Sequence, residues 1–140
     1  MTRVVNHIKE CFPGVTILVI STADKATKYE LEMKTDSAVV PLTLAQRKYA
    51  VQSKAGYFNL YEAMGGEGSM AKWAEEVPPM ANKDYTHFNY KGAQKVAGLL
   101  YDQIQTGYEQ YKLMRKNKKV LPTKPTVDSV SSKNNTVNAQ

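Results

Sequence analysis

Apolar positions recur along this chain at two different periods, and the switches between them mark its elements. Val4, Val5, Ile8, Cys11 and Phe12 fall at helical spacing. They predict a helix from Thr2 to Phe12, capped by Thr2 and stopped by Pro13-Gly14. Val15-Thr16-Ile17-Leu18-Val19-Ile20 is instead an almost unbroken β-branched run, the composition of a strand buried on both faces of a parallel sheet. Ala26 to Ser37 is polar and weakly patterned and reads as a long loop. A second helix is expected from Val39 or Pro41 to Ala55, with Gly56 as its C-terminal cap. On it Leu42, Ala45, Tyr49 and Gln52 share a face, with Leu44, Lys48 and Val51 beside it. Tyr57-Phe58-Asn59-Leu60-Tyr61 reads as a second strand.

A glycine-rich turn, Glu62 to Gly68, comes next, and then a short helix through Met70, Ala71, Trp73 and Ala74. Ser69 can cap that helix and Val77-Pro78-Pro79 ends it. The last helix begins at an Asn89 cap and runs through Tyr108 toward Met114. Ala93, Val96, Ala97, Leu100, Ile104, Tyr108 and Tyr111 form its stripe, read as core. Helix, turn, strand, helix, strand is the order of an α/β layered fold, its two strands joined by a right-handed crossover.

Charge changes the picture only at one end. Twelve basic and twelve acidic residues balance up to Tyr111, whereas the last 29 residues hold seven basic residues and only Asp128 as an acid. The excess of +6 therefore belongs to the tail. No basic groove is implied on the fold, and no nucleic-acid partner is expected. From Val120 on, the chain is rich in Pro, Ser, Thr and Asn without periodicity and is expected to be disordered. No apolar run approaches the roughly 20 residues that span a bilayer, and the N-terminus lacks the apolar core of a signal peptide. The one cysteine, Cys11, excludes an internal disulfide and reads as a buried thiol; His7 reads as a surface residue.

The candidate chemistry lies in Ala81 to Tyr101, where Asp84 and His87 stand three residues apart before a capped helix. A carboxylate beside an imidazole fixes the ring tautomer and tunes it as a general base. The competing reading is a capping Asp beside a solvated His. Gly65-Gly66-Glu67-Gly68 could turn backbone N–H groups toward an anion, but it lacks both the Lys-Ser/Thr of a P-loop and the dinucleotide glycine spacing. Asp24 follows the carboxyl end of the first strand, where ligands of parallel sheets bind; a turn-forming role is equally open to it. No metal site and no cofactor are implied, since His7 and His87 stand 80 positions apart.

Asp84-Tyr85-Thr86-His87-Phe88-Asn89, with Gly92 and the small or apolar residues at 93, 96, 97 and 100, resembles the last block of SGNH (GDSL-type) hydrolases. Ala45-Gln46-Arg47, Ala63 to Met70 and Trp73 resemble a bacterial branch of that family. The likeness covers about Val4 to Ile104, the C-terminal half of such a domain. It implies a partial three-layer α/β/α, flavodoxin-like fold with parallel strands, occupying residues 1–114 ahead of a basic tail at 115–140. It also implies that Asp84 and His87 are two members of a Ser-His-Asp triad acting on an acyl ester, for instance of a carbohydrate. Gly65, Gly66, Glu67, Gly68, Ser69, Met70, Trp73 and Asp24 would then stand near the substrate.

In that family the serine and its Gly and Asn oxyanion donors come from earlier blocks, which would fall before Met1. The N-terminal strands of the fold would fall there as well. This chain alone is therefore expected to be inactive, with an open sheet edge prone to self-association. Ser69 is the nearest candidate hydroxyl, and capping explains it better. Relatives with this glycine-rich turn are often exported. The alternatives are a non-catalytic relative that keeps the fold for binding or assembly, and a basic-tail binder of nucleic acid or anionic lipid.

Overall fold

A computed structural model describes residues 2–120, with side chains placed up to residue 117. The expected order of helices and parallel strands is present. Helix α1 spans Thr2–Cys11, strand β1 Leu18–Ile20, α2 Val39–Gln52 and β4 Gly56–Phe58; β1 and β4 pair in parallel, Leu18 opposite Gly56 and Ile20 opposite Phe58. Residues directly opposite in a ladder share a face. Tyr57 donates its hydroxyl to the Thr43 carbonyl of α2 at 3.1 Å, so Val19 and Tyr57 face α2. Phe58 faces the other way, into a core built with α3 (Leu60–Met64), α4 (Ser69–Glu75) and the first turns of α5 (Tyr90–Val120). The sheet is thus covered by helices on both sides at β4.

Coverage fails at β1. Val19 is buried, but Leu18 and Ile20 are each 43% exposed, so the run is not a strand buried on both faces. Its ladder also leaves a free edge. Gly56 N–H donates to Ile17 O, and Ser21 N–H donates to Phe58 O. Alternation along a parallel strand then turns the polar groups of Leu18 and Ile20 away from β4, toward an edge with no partner strand among the described residues.

Several local expectations are corrected. Ala26 to Ser37 is not a loop but a hairpin, β2 (Ala26–Tyr29) against β3 (Glu32–Thr35), closed by Glu30 at φ +56° and a 92% exposed Leu31. The aromatic run to Tyr61 ends as a strand at Phe58, because Asn59 accepts from Glu62 N–H and Ser21 Oγ accepts from Leu60 N–H, which starts α3. On α2 the buried face is Val39, Thr43 and Ala50, with Gln46 half-buried between them. The helix ends at Ser53 rather than at Gly56, and Lys54 takes the left-handed conformation. Gly68, in the left-handed region, caps α4, so Ser69 is its first residue. Cys11 is exposed, since α1 buries only Val5. Its sulfur lies 3.7 Å from Nε2 of His7, itself exposed as expected.

Helix α5 runs without a break from Tyr90 to Val120. Its stripe is core only at the start: Val96, Leu99 and Leu100 pack inward, whereas Ala93 and Ala97 are exposed and Ile104 is 56% exposed. Residues 2–105 belong to one compact unit, and residues 106–120 to another. In the second unit Tyr108 and Tyr111 are exposed, with Lys112 over the first ring and Arg115 over the second. The expected disordered tail lies outside the described residues. Among the described residues no helix is long and apolar enough to cross a membrane.

Candidate active site

The segment between α4 and α5 is tied down at both ends. Trp73 O accepts from Met80 N–H and Ala81 N–H, Ala81 bridges to Phe88, and the Phe88 ring lies 5.7 Å from that of Trp73. Asn89 caps α5, taking Gly92 N–H at 3.1 Å and giving its side-chain N–H to Pro79 O at 2.8 Å. Between these anchors residues 82–87 close into a small loop, with Asn82 N–H on His87 O and Tyr85 N–H on Asn82 O. Tyr85 stands at φ +55°, a left-handed conformation that a side-chain-bearing residue avoids. Its carbonyl is held by Ala26 N–H at 2.9 Å.

That fold of the loop turns Asp84 onto His87. Oδ2 lies 2.8 Å from Nδ1 of the ring, while Oδ1 accepts from the N–H groups of Thr86 and His87, each at 3.0 Å. The backbone N–H of His87, then its ring, then Thr86 N–H hold the Asp84 carboxyl down to about 2. A carboxylate so held is ionised and can only accept, so Nδ1 carries the ring proton and Nε2 is the basic nitrogen. Both side chains are substantially exposed, and Nε2 has no hydrogen-bond partner among the described residues.

Of the four serines of the described body, Ser37 is exposed ahead of α2 and the other three are engaged. Ser69 is 4% exposed and donates to Asp24 Oδ2 at 3.3 Å. Ser21 bonds Thr22 O and the start of α3, and Ser53 bonds Tyr49 O. In the glycine-rich turn every backbone N–H but that of Glu67 is also spent among the described residues. Gly65 N–H goes to Glu62 O, Gly66 to Tyr61 O, Gly68 to Thr35 Oγ1, Ser69 to Gly66 O and Met70 to Asp24 Oδ2. Asp24 is thus neither a simple turn former nor an exposed ligand. It is 1% exposed and fastens the first turn of α4. No cluster of three metal-ligating side chains occurs among the described residues.

The sequence reading missed the hairpin base. Ala26 and Thr35 are cross-strand partners; Ala26 holds Tyr85 of the His87 loop and Thr35 holds Gly68 of the glycine-rich turn. This pair joins the two conspicuous loops.

No known family pattern matches the chain, and no curated protein matches it in sequence. A solved structure is similar in fold: a peptidoglycan O-acetylesterase in action, with a TM-score of 0.70 and 24% identity over 78% of this chain. The likeness is one of fold. This chain spans 31% of the length of that structure.

Proposed function

We propose that this chain supplies the Asp84–His87 half of a Ser-His-Asp relay in an ester hydrolase of SGNH type, acting on an O-acylated carbohydrate. The observation that carries the reading is the 2.8 Å contact between Asp84 Oδ2 and His87 Nδ1, with Nε2 left free. The shared fold with an O-acetylesterase supports it. In this reading a serine hydroxyl from polypeptide outside the described residues gives its proton to Nε2 as its oxygen attacks the acyl carbon. Nε2–H then protonates the departing sugar oxygen, and a water molecule repeats the two transfers to free the acid. Asp84 holds the tautomer and stabilises the imidazolium. The Gly65–Met70 turn and Trp73 contribute shape; the N–H groups of residues 65, 66 and 68–70 are already spent, and only that of Glu67 is left without a partner among the described residues.

The burial of Ser21, Ser53 and Ser69 favours a second reading, a fold kept for binding or assembly, and the assay separates the two. O-acetyl ester hydrolysis is measured on the native polypeptide that contains these residues, beside His87→Ala and Asp84→Asn. His87→Ala is expected to lower kcat by about 10⁶-fold and Asp84→Asn by about 10⁴-fold, and the isolated 140-residue chain should not exceed buffer. Undiminished hydrolysis by His87→Ala would refute the relay. We also propose that the edge of β1, without a partner strand among the described residues, lets the isolated chain self-associate.

A further inference from the structure

A buried carboxylate is costly unless it is fully bonded, and Asp24 is not. Its side chain is among the largest fully buried ones, yet Oδ1 has no partner among the described residues, while Oδ2 takes Met70 N–H at 2.8 Å and Ser69 Oγ–H at 3.3 Å. Its partner Met70 belongs to the apolar core, together with Trp73, Ala74 and Ala26. Burial, and next the Asp24 charge, push the phenol of Tyr61 up. Packing alone would be better served by an uncharged residue, so the placement of this carboxylate calls for another account.

Its connections provide one. On the far side of its bond to Met70, α4 carries Trp73, whose carbonyl holds Met80 and Ala81 and whose ring meets Phe88, the residue after His87. Two residues along the chain from Asp24, Ala26 N–H holds the carbonyl of left-handed Tyr85, between Asp84 and His87. Across the hairpin from Ala26, Thr35 fixes Gly68 at 2.7 Å, just ahead of Ser69. Asp24 therefore closes a ring of contacts running from the end of β1 through α4 to Phe88, and back through Tyr85 to Ala26.

We propose that Asp24 is a positioning residue for the Asp84–His87 pair: its carboxylate locks α4 to the hairpin base, and this lock holds Tyr85 in the left-handed conformation that brings Asp84 onto Nδ1. Asp24 does not touch the reacting atoms. The role extends the hydrolase reading, but it concerns the geometry of the pair and can be measured without turnover.

The experiment uses the ring nitrogens of the 15N-labelled chain above the titration range of histidine. There are only two histidines, and His7, on α1, is the internal control. In the parent chain His87 should show a protonated Nδ1 and an unprotonated Nε2. In Asp24→Ala that tautomer preference should be lost, with His7 unmoved. Asp24→Asn keeps an acceptor for Met70 N–H and should restore much of it. Val5→Ala, a cavity under α1, should lower the melting temperature without moving His87, which separates positioning from plain loss of stability. If Asp24→Ala does not fold, Ser69→Ala and Thr35→Val, each removing one tie of the ring, should move the His87 signals in the same direction. A folded Asp24→Ala with parental His87 signals overturns the proposal, as does an unchanged His87 in both of the milder variants. Loss of turnover with an intact tautomer would count against the positioning role alone, and an intact ring in an inactive native polypeptide would count against the hydrolase reading alone.

Discussion

Two glycines six residues apart on α5 should respond to alanine with opposite signs. A Cβ built on Gly92 would lie 1.9 Å from Met80 O and 3.2 Å from Phe88 Cβ, whereas one on Gly98 would meet nothing within 4 Å. Real Cβ contacts essentially never fall under 3.0 Å, so Gly92→Ala must push the helix start and the Met80 backbone apart by about 1 Å. That backbone is held in place by Asn89 N–H on Met80 O, Asn89 Nδ2–H on Pro79 O, and the bonds of Met80 and Ala81 to Trp73. Overpacking of this kind costs about 1–3 kcal/mol, against a gain in helix propensity of about 1 kcal/mol. Gly98→Ala collects the gain without the cost. With about 4–8 °C per kcal/mol for a body of this size, Gly92→Ala should melt several degrees below the parent and Gly98→Ala a few degrees above it. Thermal unfolding followed by circular dichroism, with Trp73 fluorescence as a second probe, reads both. A Gly92→Ala variant that melts at or above the parent would show that α5 does not rest on Met80, and the anchoring of the His87 loop derived from it would fall.

Asp84 should titrate near pH 2 rather than near its ordinary 3.8, read from its side-chain carboxyl carbon by NMR. Because the folded value is depressed, the loop stability it contributes is complete above about pH 4 and is lost as pH falls through about 2; an unshifted titration would contradict the 2.8 Å pair. The chain should show a weight-average mass above the monomer in concentrated solution by sedimentation equilibrium, reduced by Ile20→Lys at the open edge of β1. A strictly monomeric parent at every concentration counts against that edge as a self-pairing surface.

The sequence was legible where one physical signal dominated. Apolar period and Pro13-Gly14 located α1, β-branching located β1, and Asn89 marked the start of α5, whose side chain takes Gly92 N–H. It was misleading where two signals competed. Residues 57–61 are aromatic enough for a strand, but Asn59 and Glu62 stand at the cap and third positions of a helix, and the cap prevailed. The hairpin was hidden because its turn uses Glu30 and Leu31 in place of the usual Asn-Gly, and because its strands are polar on both faces, with only Ala26 buried. Exposure was the least legible property: Leu18, Ile20 and Ile104 read as core, but the described residues provide nothing to cover them.

The candidate site divides along the same line. Asp84 and His87 could be paired from their spacing, because three residues is the reach of an Asx-type turn in which a carboxylate bonds N–H groups two and three residues ahead. What the spacing cannot carry is the φ of +55° at Tyr85, the conformation between them. A left-handed tyrosine costs on the order of 1–3 kcal/mol and so must be held from outside the loop. The holder, Ala26 N–H, belongs to a hairpin with no signature in the sequence, and the hairpin is fastened by Thr35 and lies next to Asp24, two polar residues whose partners are more than thirty positions away. Local chemistry names the two groups that meet. Long-range bonds from apparently unremarkable residues decide whether they stay together, and substitutions at Asp24 or Thr35 therefore test the site more sharply than further changes within the Asp84–His87 loop.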